Sequence, residues 1–455
     1  MRESKLEYIT QLLILAGIVT HPVWNWSFKT AFILKPSDFF FALAIAGSIF
    51  YFLGDGRNNL KKIPKLLYVA LFLFGASIIL GTVMGYLRYG IPVGDWHLIL
   101  HHLERIGGGF ILLLFFFISL KESIRFRQRL YGAFWVSAFP FIPFLFWPAL
   151  AQEFGMVTDG HFMGLAGNTG MFAALIFPAF VFAFFLFLRS LFAKDAKGSP
   201  VRILLFCFLW LAIEALILWS ASKAFFGAVV LSVIFGTLIA GYFYKVGPKR
   251  IFSSLTLILI VVFLLLPFSP AFEKFKGFSL FPESFSKSMD RVKRIVELQT
   301  KNEISEIPRA GEELPFATRP VGFYYYISLF KEDPLIPLLG LGINYAQKFD
   351  LILSRDQGIN SISIGRSILS DIFLYGGVGA VIAVIIFIWL IWQRIIMLFR
   401  ANERERSIEP IYVLAPAVTL LGWWSAAIFL GTPFILIPNW ILLGMALAPE
   451  APKTN

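Results

Sequence analysis

The chain has 455 residues and a formal net charge of +12, yet only 15% of its residues are charged while 58% are hydrophobic, with 52 Phe and a mean hydropathy of +0.76. A soluble globular chain carries about 25% charged residues, so this composition excludes an ordinary soluble domain and points to membrane spans. A single cysteine, Cys207, excludes a disulfide framework and a thiolate metal site, and basic residues scattered in small clusters between apolar runs do not form a nucleic-acid surface.

A spanning helix needs about 20 apolar residues. Apolar runs fall near 6–23, 38–53, 66–84, 99–118, 130–150, 169–188, 203–221, 224–244, 251–267, 367–392, 411–430 and 433–449, which predicts twelve spans. Every second connection is basic: Arg57, Lys61, Lys62 and Lys65; Lys121, Arg125, Arg127 and Arg129; Arg189, Lys194, Lys197 and Arg202; Lys245, Lys249 and Arg250; Arg394, Arg400, Arg404 and Arg406. The intervening loop 151–168 has no Lys or Arg. Short cytoplasmic loops are the Lys- and Arg-rich ones, so the alternation puts both termini in the cytoplasm. The first apolar run lacks a small-residue cleavage site and continues into the polytopic pattern, unlike a cleaved signal peptide. No internal repeat or heptad pattern is visible.

One connection is out of scale. The chain divides into a bundle of nine spans over 1–267, an external loop of 99 residues over 268–366, and three further spans with a cytoplasmic end over 367–455. A loop this long is functional or separately folded. Ser284–Gln299 and Val321–Phe330 have helical spacing, whereas Asn302–Pro320 is acidic and Pro-punctuated.

Charged groups at membrane depth are expensive, so each calls for a reason. Glu214 lies inside the seventh span, where the reading is a structural partner for another buried polar group. Lys223 closes a tight external hairpin, Leu218-Trp-Ser-Ala-Ser-Lys223. Snorkelling to the interface and a functional cation are both open there. The return of the large loop runs through Asp333-Pro-Leu-Ile-Pro-Leu-Leu-Gly-Leu-Gly342, then Arg355, Asn360-Ser-Ile-Ser-Ile-Gly-Arg366-Ser-Ile-Leu-Ser-Asp371 and Tyr375-Gly-Gly-Val-Gly379. A helix starting near Ser363 would put Arg366 and Ser370 on one face, with Ser367 and Asp371 on the adjacent stripe. Gly376, Gly377 and Gly379 suit close helix packing or a bend. His97 and His101 are spaced as a helical zinc pair could be, but interfacial histidines explain them as well and no convincing metal-ligand cluster is present; no cofactor is expected.

Several arginines and a lysine at one membrane–water boundary would suit phosphate oxygens, because a guanidinium forms paired charge-assisted bonds and stays charged everywhere. A lipid diphosphate with its headgroup outward fits that demand. Together, Lys35-Pro-Ser-Asp38, Gly164-Leu-Ala-Gly-Asn168, Trp219-Ser-Ala-Ser-Lys223, Arg319 with the stretch through Asp333-Pro334 to Gly340-Leu-Gly342, and Gly376-Gly-Val-Gly379 resemble the motifs of the O-antigen ligase and polymerase superfamily of bacterial membrane glycosyltransferases. The hairpin arginine of that family is Lys223 here. The His-Asn pair that ligases carry before Gly-x-x-Gly is absent, with Gly365 and Arg366 in its place, which favours a polymerase over a ligase.

The resemblance implies an all-α, GT-C-like bundle with one large periplasmic loop, in the bacterial inner membrane. Its substrates would be a polyprenyl-diphosphate-linked oligosaccharide donor and a glycan acceptor, and no metal is required. A sugar hydroxyl would attack the anomeric carbon with inversion while the lipid diphosphate leaves, its growing charge held by Lys223, Arg319 and Arg366. Arg291, Arg294, Arg355 and Ser367 are further diphosphate- or glycan-binding candidates. Asp371 and His161 are the candidates for general-base help. A lipid-linked oligosaccharide flippase is the competing class, but the missing repeats and the large insertion argue against a transporter.

Overall fold

The computed structural model describes residues 4–22, 28–29, 33–34, 36–54, 56–91, 103–158, 161–164, 169–193, 200–220, 222–265, 330–331, 333–343, 351–353, 362–364, 368–400, 411–427 and 436–448. Among them the chain is an all-α bundle: α1 Lys5–Thr20, α2 Pro36–Leu53, the single turn α3 Arg57–Leu60, α4 Lys65–Tyr89, a π-helical turn Leu103–Gly108 leading into α5 Gly109–Glu122, and α6 Ile124–Val136. The short α7 Ile142–Phe146 and α8 Pro148–Glu153 precede α9 Thr169–Phe192, α10 Pro200–Trp219, α11 Lys223–Phe243 and α12 Pro248–Leu265. After the large loop come α13 Leu335–Leu339, α14 Ile368–Arg400, α15 Ile411–Ala427 and α16 Ile437–Leu447. A 3-10 turn Phe139–Phe141 and three antiparallel ribbons of two strands each complete the described elements: β1 Phe28–Lys29 with β2 Ile33–Leu34, β3 Val157–Thr158 with β4 His161–Phe162, and β5 Leu351–Leu353 with β6 Ile362–Ile364.

Eight of the described helical segments are long and apolar enough to cross a membrane, against the twelve spans expected, and the chain is a multi-pass membrane protein. The helices α15 and α16 are apolar but shorter than a full span. The helix α9 sits at the centre, with 89% of its apolar window buried, while α12 lies at the edge with 11%. Aromatic rings knit the bundle. Trp440 of α16 meets Phe74 of α4 at 5.7 Å, Phe110 of α5 at 5.0 Å and Phe387 of α14 at 6.0 Å between ring centroids, all near perpendicular. Edge-to-face rings of this kind add to the area they bury.

Two connections differ from expectation. Lys121 to Arg129 is no loop: α5 runs to Glu122, Ser123 caps α6 by accepting the Phe126 N–H at 3.2 Å, and Arg125, Arg127 and Arg129 are helical. Arg127 is fully buried, its Nε donating to the Leu120 carbonyl at 3.4 Å and its Nη2 to that of Ala448 at 3.2 Å. It thereby caps the C-terminal ends of α5 and α16, where backbone carbonyls lack helical donors and the helix dipole favours a cation. Arg394 and Arg400 likewise belong to α14 rather than to a loop.

The helices leave two chemically distinct ends. One carries the clusters Lys61–Lys65, Arg125–Arg129, Arg189 and Lys249–Arg250, and is called the basic end. At the far end lie the first turns of α2 and α14, the last turn of α4, and the Trp219–Lys223 hairpin.

Candidate functional site

The far end is organised by a seam between α4, α14 and the segment 333–343. The two helices run antiparallel, and small residues at a spacing of four on α4, Ser77, Gly81 and Gly85, let backbone meet backbone. A methyl on Gly81 would strike the Tyr375 carbonyl, one on Gly85 the Leu341 carbonyl, and one on Gly379 the Ser77 hydroxyl. The helix α14 breaks at Gly376 (φ −147°, ψ 19°) and Gly377 (φ 58°, ψ −152°). A break inside a span strands carbonyls that must find another donor. Leu341 supplies one, its N–H bonding the Leu374 carbonyl at 2.6 Å. The glycines read as a packing or bending device are therefore both, and they receive the return of the large loop.

Asp333 fixes the entrance of that segment. One of its oxygens accepts the Leu335 N–H at 3.0 Å, which starts the short helix α13. The other accepts from the Tyr89 hydroxyl and from Arg88 Nε at 2.8 Å. The Tyr89 hydrogen bond first, then the Leu335 N–H and the Arg88 charge, hold the Asp333 carboxyl below the usual Asp value. Because the folded-state value is the lower one, this contribution is complete above about pH 4 and is lost as the pH falls through the lowered value. Arg88 and Tyr89 did not figure in the sequence reading. The available signal was an arginine at the end of a span on the side that the charge alternation leaves poor in basic residues.

Asp371 lies in the first turn of α14, where the helix dipole favours an anion, and with Ser370 it is buried to 1% exposure. The described part of α14 begins at Ile368, and Ile362–Ile364 is a strand, so the helix does not start near Ser363 as expected. Arg366, Ser367, Arg291, Arg294, Arg319 and Arg355 lie outside the described residues, as do Lys35, His97 and His101.

A second grouping forms at the hairpin between α10 and α11. Lys223 is the first residue of the 21-residue helix α11. The ribbon of β3 and β4 is seated here by Phe162, stacked on Trp219 at 4.8 Å and edge-on to Phe172 at 4.9 Å. This places half-buried His161 against the same end of α10. Glu214, further along α10, is fully buried, and among the described residues neither carboxylate oxygen has a hydrogen-bond partner, so the polar partner expected for it is not found there.

A third polar group surrounds the start of α2. His21 and Ser37 approach to 3.4 Å, and Asp38 and Arg105 are both buried, the Arg105 guanidinium lying in the field of the Asp38 and Glu104 carboxylates. Arg105 belongs to the π-helical turn, a rare conformation frequent at functional sites. Among the described residues no set of three His, Cys, Asp or Glu is placed to hold a metal ion. Against known proteins, no family model matches the chain and no curated protein is similar enough to count as a relative.

Proposed function

We propose that the protein is a membrane glycosyltransferase that polymerises polyprenyl-diphosphate-linked oligosaccharides on the external face of the bacterial inner membrane. The observation that carries this reading is the far-end seam: segment 333–343, at the return of the large loop, is locked by backbone contacts to α4 and α14, and the first turn of α14 carries the buried Asp371. The apolar bundle is suited to hold a polyprenyl chain, and the segment above it to cover a glycan. Lys223 at the head of α11, together with Arg319 and Arg366, would stabilise the charge that grows on the leaving diphosphate. His161, at the hairpin, and Asp371 are the groups assigned to the attacking hydroxyl. Much of the rate would come from holding donor and acceptor in line, because a diphosphate already leaves readily.

The deciding experiment gives the purified protein one defined polyprenyl-diphosphate oligosaccharide and no other acceptor. A ladder of longer lipid-linked glycans is expected. Product that forms only after lipid A core is added would make the protein a ligase, and unchanged donor under both conditions would overturn glycosyl transfer altogether. Arg319→Ala and Arg366→Ala are each expected to reduce turnover at least tenfold, about the loss of one charge-assisted contact, without loss of membrane insertion.

A further inference from the structure

Arg88 stands half exposed, at 51% of its side chain, although it is paired with a carboxylate that two other donors already hold. The anchoring of segment 333–343 is thus provided for by the Tyr89 hydroxyl and the glycine seam. Ion pairs as exposed as this one add little stability, so the pairing is poorly explained as a structural clamp. Its geometry has another consequence. Asp333 engages Arg88 at Nε, the inner nitrogen, and a guanidinium carries four more N–H donors on its two terminal nitrogens in a fixed planar fork. A carboxylate that grips the inner nitrogen orients such a fork, much as outer partners orient metal-bound histidines. The residue lies in the last turn of α4, the level at which a span reaches the lipid headgroups.

We propose that Arg88 is a phosphate-binding residue that takes the diphosphate of the lipid-linked donor, with Asp333 as its positioning residue. The assignment rests on the glycosyltransferase reading above and adds to it a cation from α4, distinct from Lys223 and from the loop arginines. The same fork would also recognise the phosphate of a bilayer phospholipid, so the test must separate the two sources.

The full-length protein is placed in nanodiscs of phosphatidylcholine, and binding of undecaprenyl diphosphate is measured by native mass spectrometry, with phosphatidylglycerol as the competing arm. Arg88→Ala is expected to weaken undecaprenyl diphosphate binding at least tenfold, the loss typical of a charge-assisted contact. Arg88→Lys should recover part of it, since charge survives without the fork. Asp333→Asn should weaken binding less than Arg88→Ala while raising the donor KM more than it lowers kcat. Lys62→Ala, an exposed cation at the basic end, should leave binding unchanged. Thermal midpoints of all variants report whether the seam survives. If Arg88→Ala unfolds, the comparison of Arg88→Lys with wild type decides instead, equal affinity overturning the need for the fork. Wild-type affinity in Arg88→Ala overturns the role of Arg88 alone. Loss of phosphatidylglycerol binding with undecaprenyl diphosphate binding intact would make Arg88 a headgroup anchor and overturn the donor assignment. A wild-type protein that binds no polyprenyl diphosphate overturns the glycosyltransferase reading itself.

Discussion

Gly340 (φ 81°, ψ −172°) and Gly377 (φ 58°, ψ −152°) occupy a region of backbone space that is essentially closed to residues with a Cβ. They also face one another across the seam: a methyl on Gly340 would meet the Gly376 and Gly377 nitrogens, and one on Gly377 the Leu338 carbonyl. Both obstacles are backbone, so no rotamer change relieves them. Gly340→Ala and Gly377→Ala are each expected to cost about 1–3 kcal/mol or more, seen as a lowered thermal midpoint in detergent. Gly227→Ala, a helical position with open space around it, should leave the midpoint unchanged or raise it. Equal midpoints for Gly227→Ala and Gly377→Ala would mean that the seam does not constrain the fold. The glycines themselves were readable as a site of close approach, because Gly-Gly-Val-Gly within an apolar run has few other uses. Their partners were not, since Gly81 and Gly342 meet Tyr375 and Thr82 only after distant stretches of chain are folded together. The same distance hid the Arg88–Asp333 pair.

At the level of elements, hydrophobic runs located the helices and charge misplaced some of their ends. The run 66–84 becomes a helix to Tyr89 because Tyr86, Arg88 and Tyr89 are not apolar, yet none of them breaks a helix. Arg125, Arg127 and Arg129 suggested a loop for the same reason, although arginine is a good helix former and α6 needs no loop before it. The stretch Ile362-Ser-Ile364 carried the alternation of a strand, and a helical reading overrode it. Arg127 shows what topology rules overlook. A cation placed by the alternation among solvated loop charges is instead enclosed, joining the ends of α5 and α16 through two carbonyls. Arg127→Met would leave both carbonyls buried without that donor, and is expected to destabilise the fold by about 2 kcal/mol or more. Arg129→Met, two residues on and exposed, loses only the contact of its guanidinium with the Tyr8 ring and should cost less than about 1 kcal/mol. Comparable midpoints for the two variants would remove the capping role.

For the whole molecule, the exposed apolar side chains of α4 and α12, among them Phe72, Ile79, Leu87, Leu257 and Phe263, form the surface expected to meet lipid. The charge asymmetry between the two ends gives an expected orientation that labelling can test. In a Cys207→Ser background, Lys331→Cys at the far end should react with a membrane-impermeant maleimide on intact cells, and Lys62→Cys at the basic end only after permeabilisation. The reverse pattern would place the seam in the cytoplasm and remove it from external chemistry. The seam also bears on how such a chain diverges. Lipid-facing positions accept almost any greasy residue, so overall identity between descendants of one ancestor decays quickly, whereas main chain pressed on main chain admits no substitute. Kinship to this protein would then survive as a sparse signature of invariant achiral positions, spaced as Gly81, Gly85, Gly340, Gly342, Gly376 and Gly377 are, long after the surrounding letters have drifted.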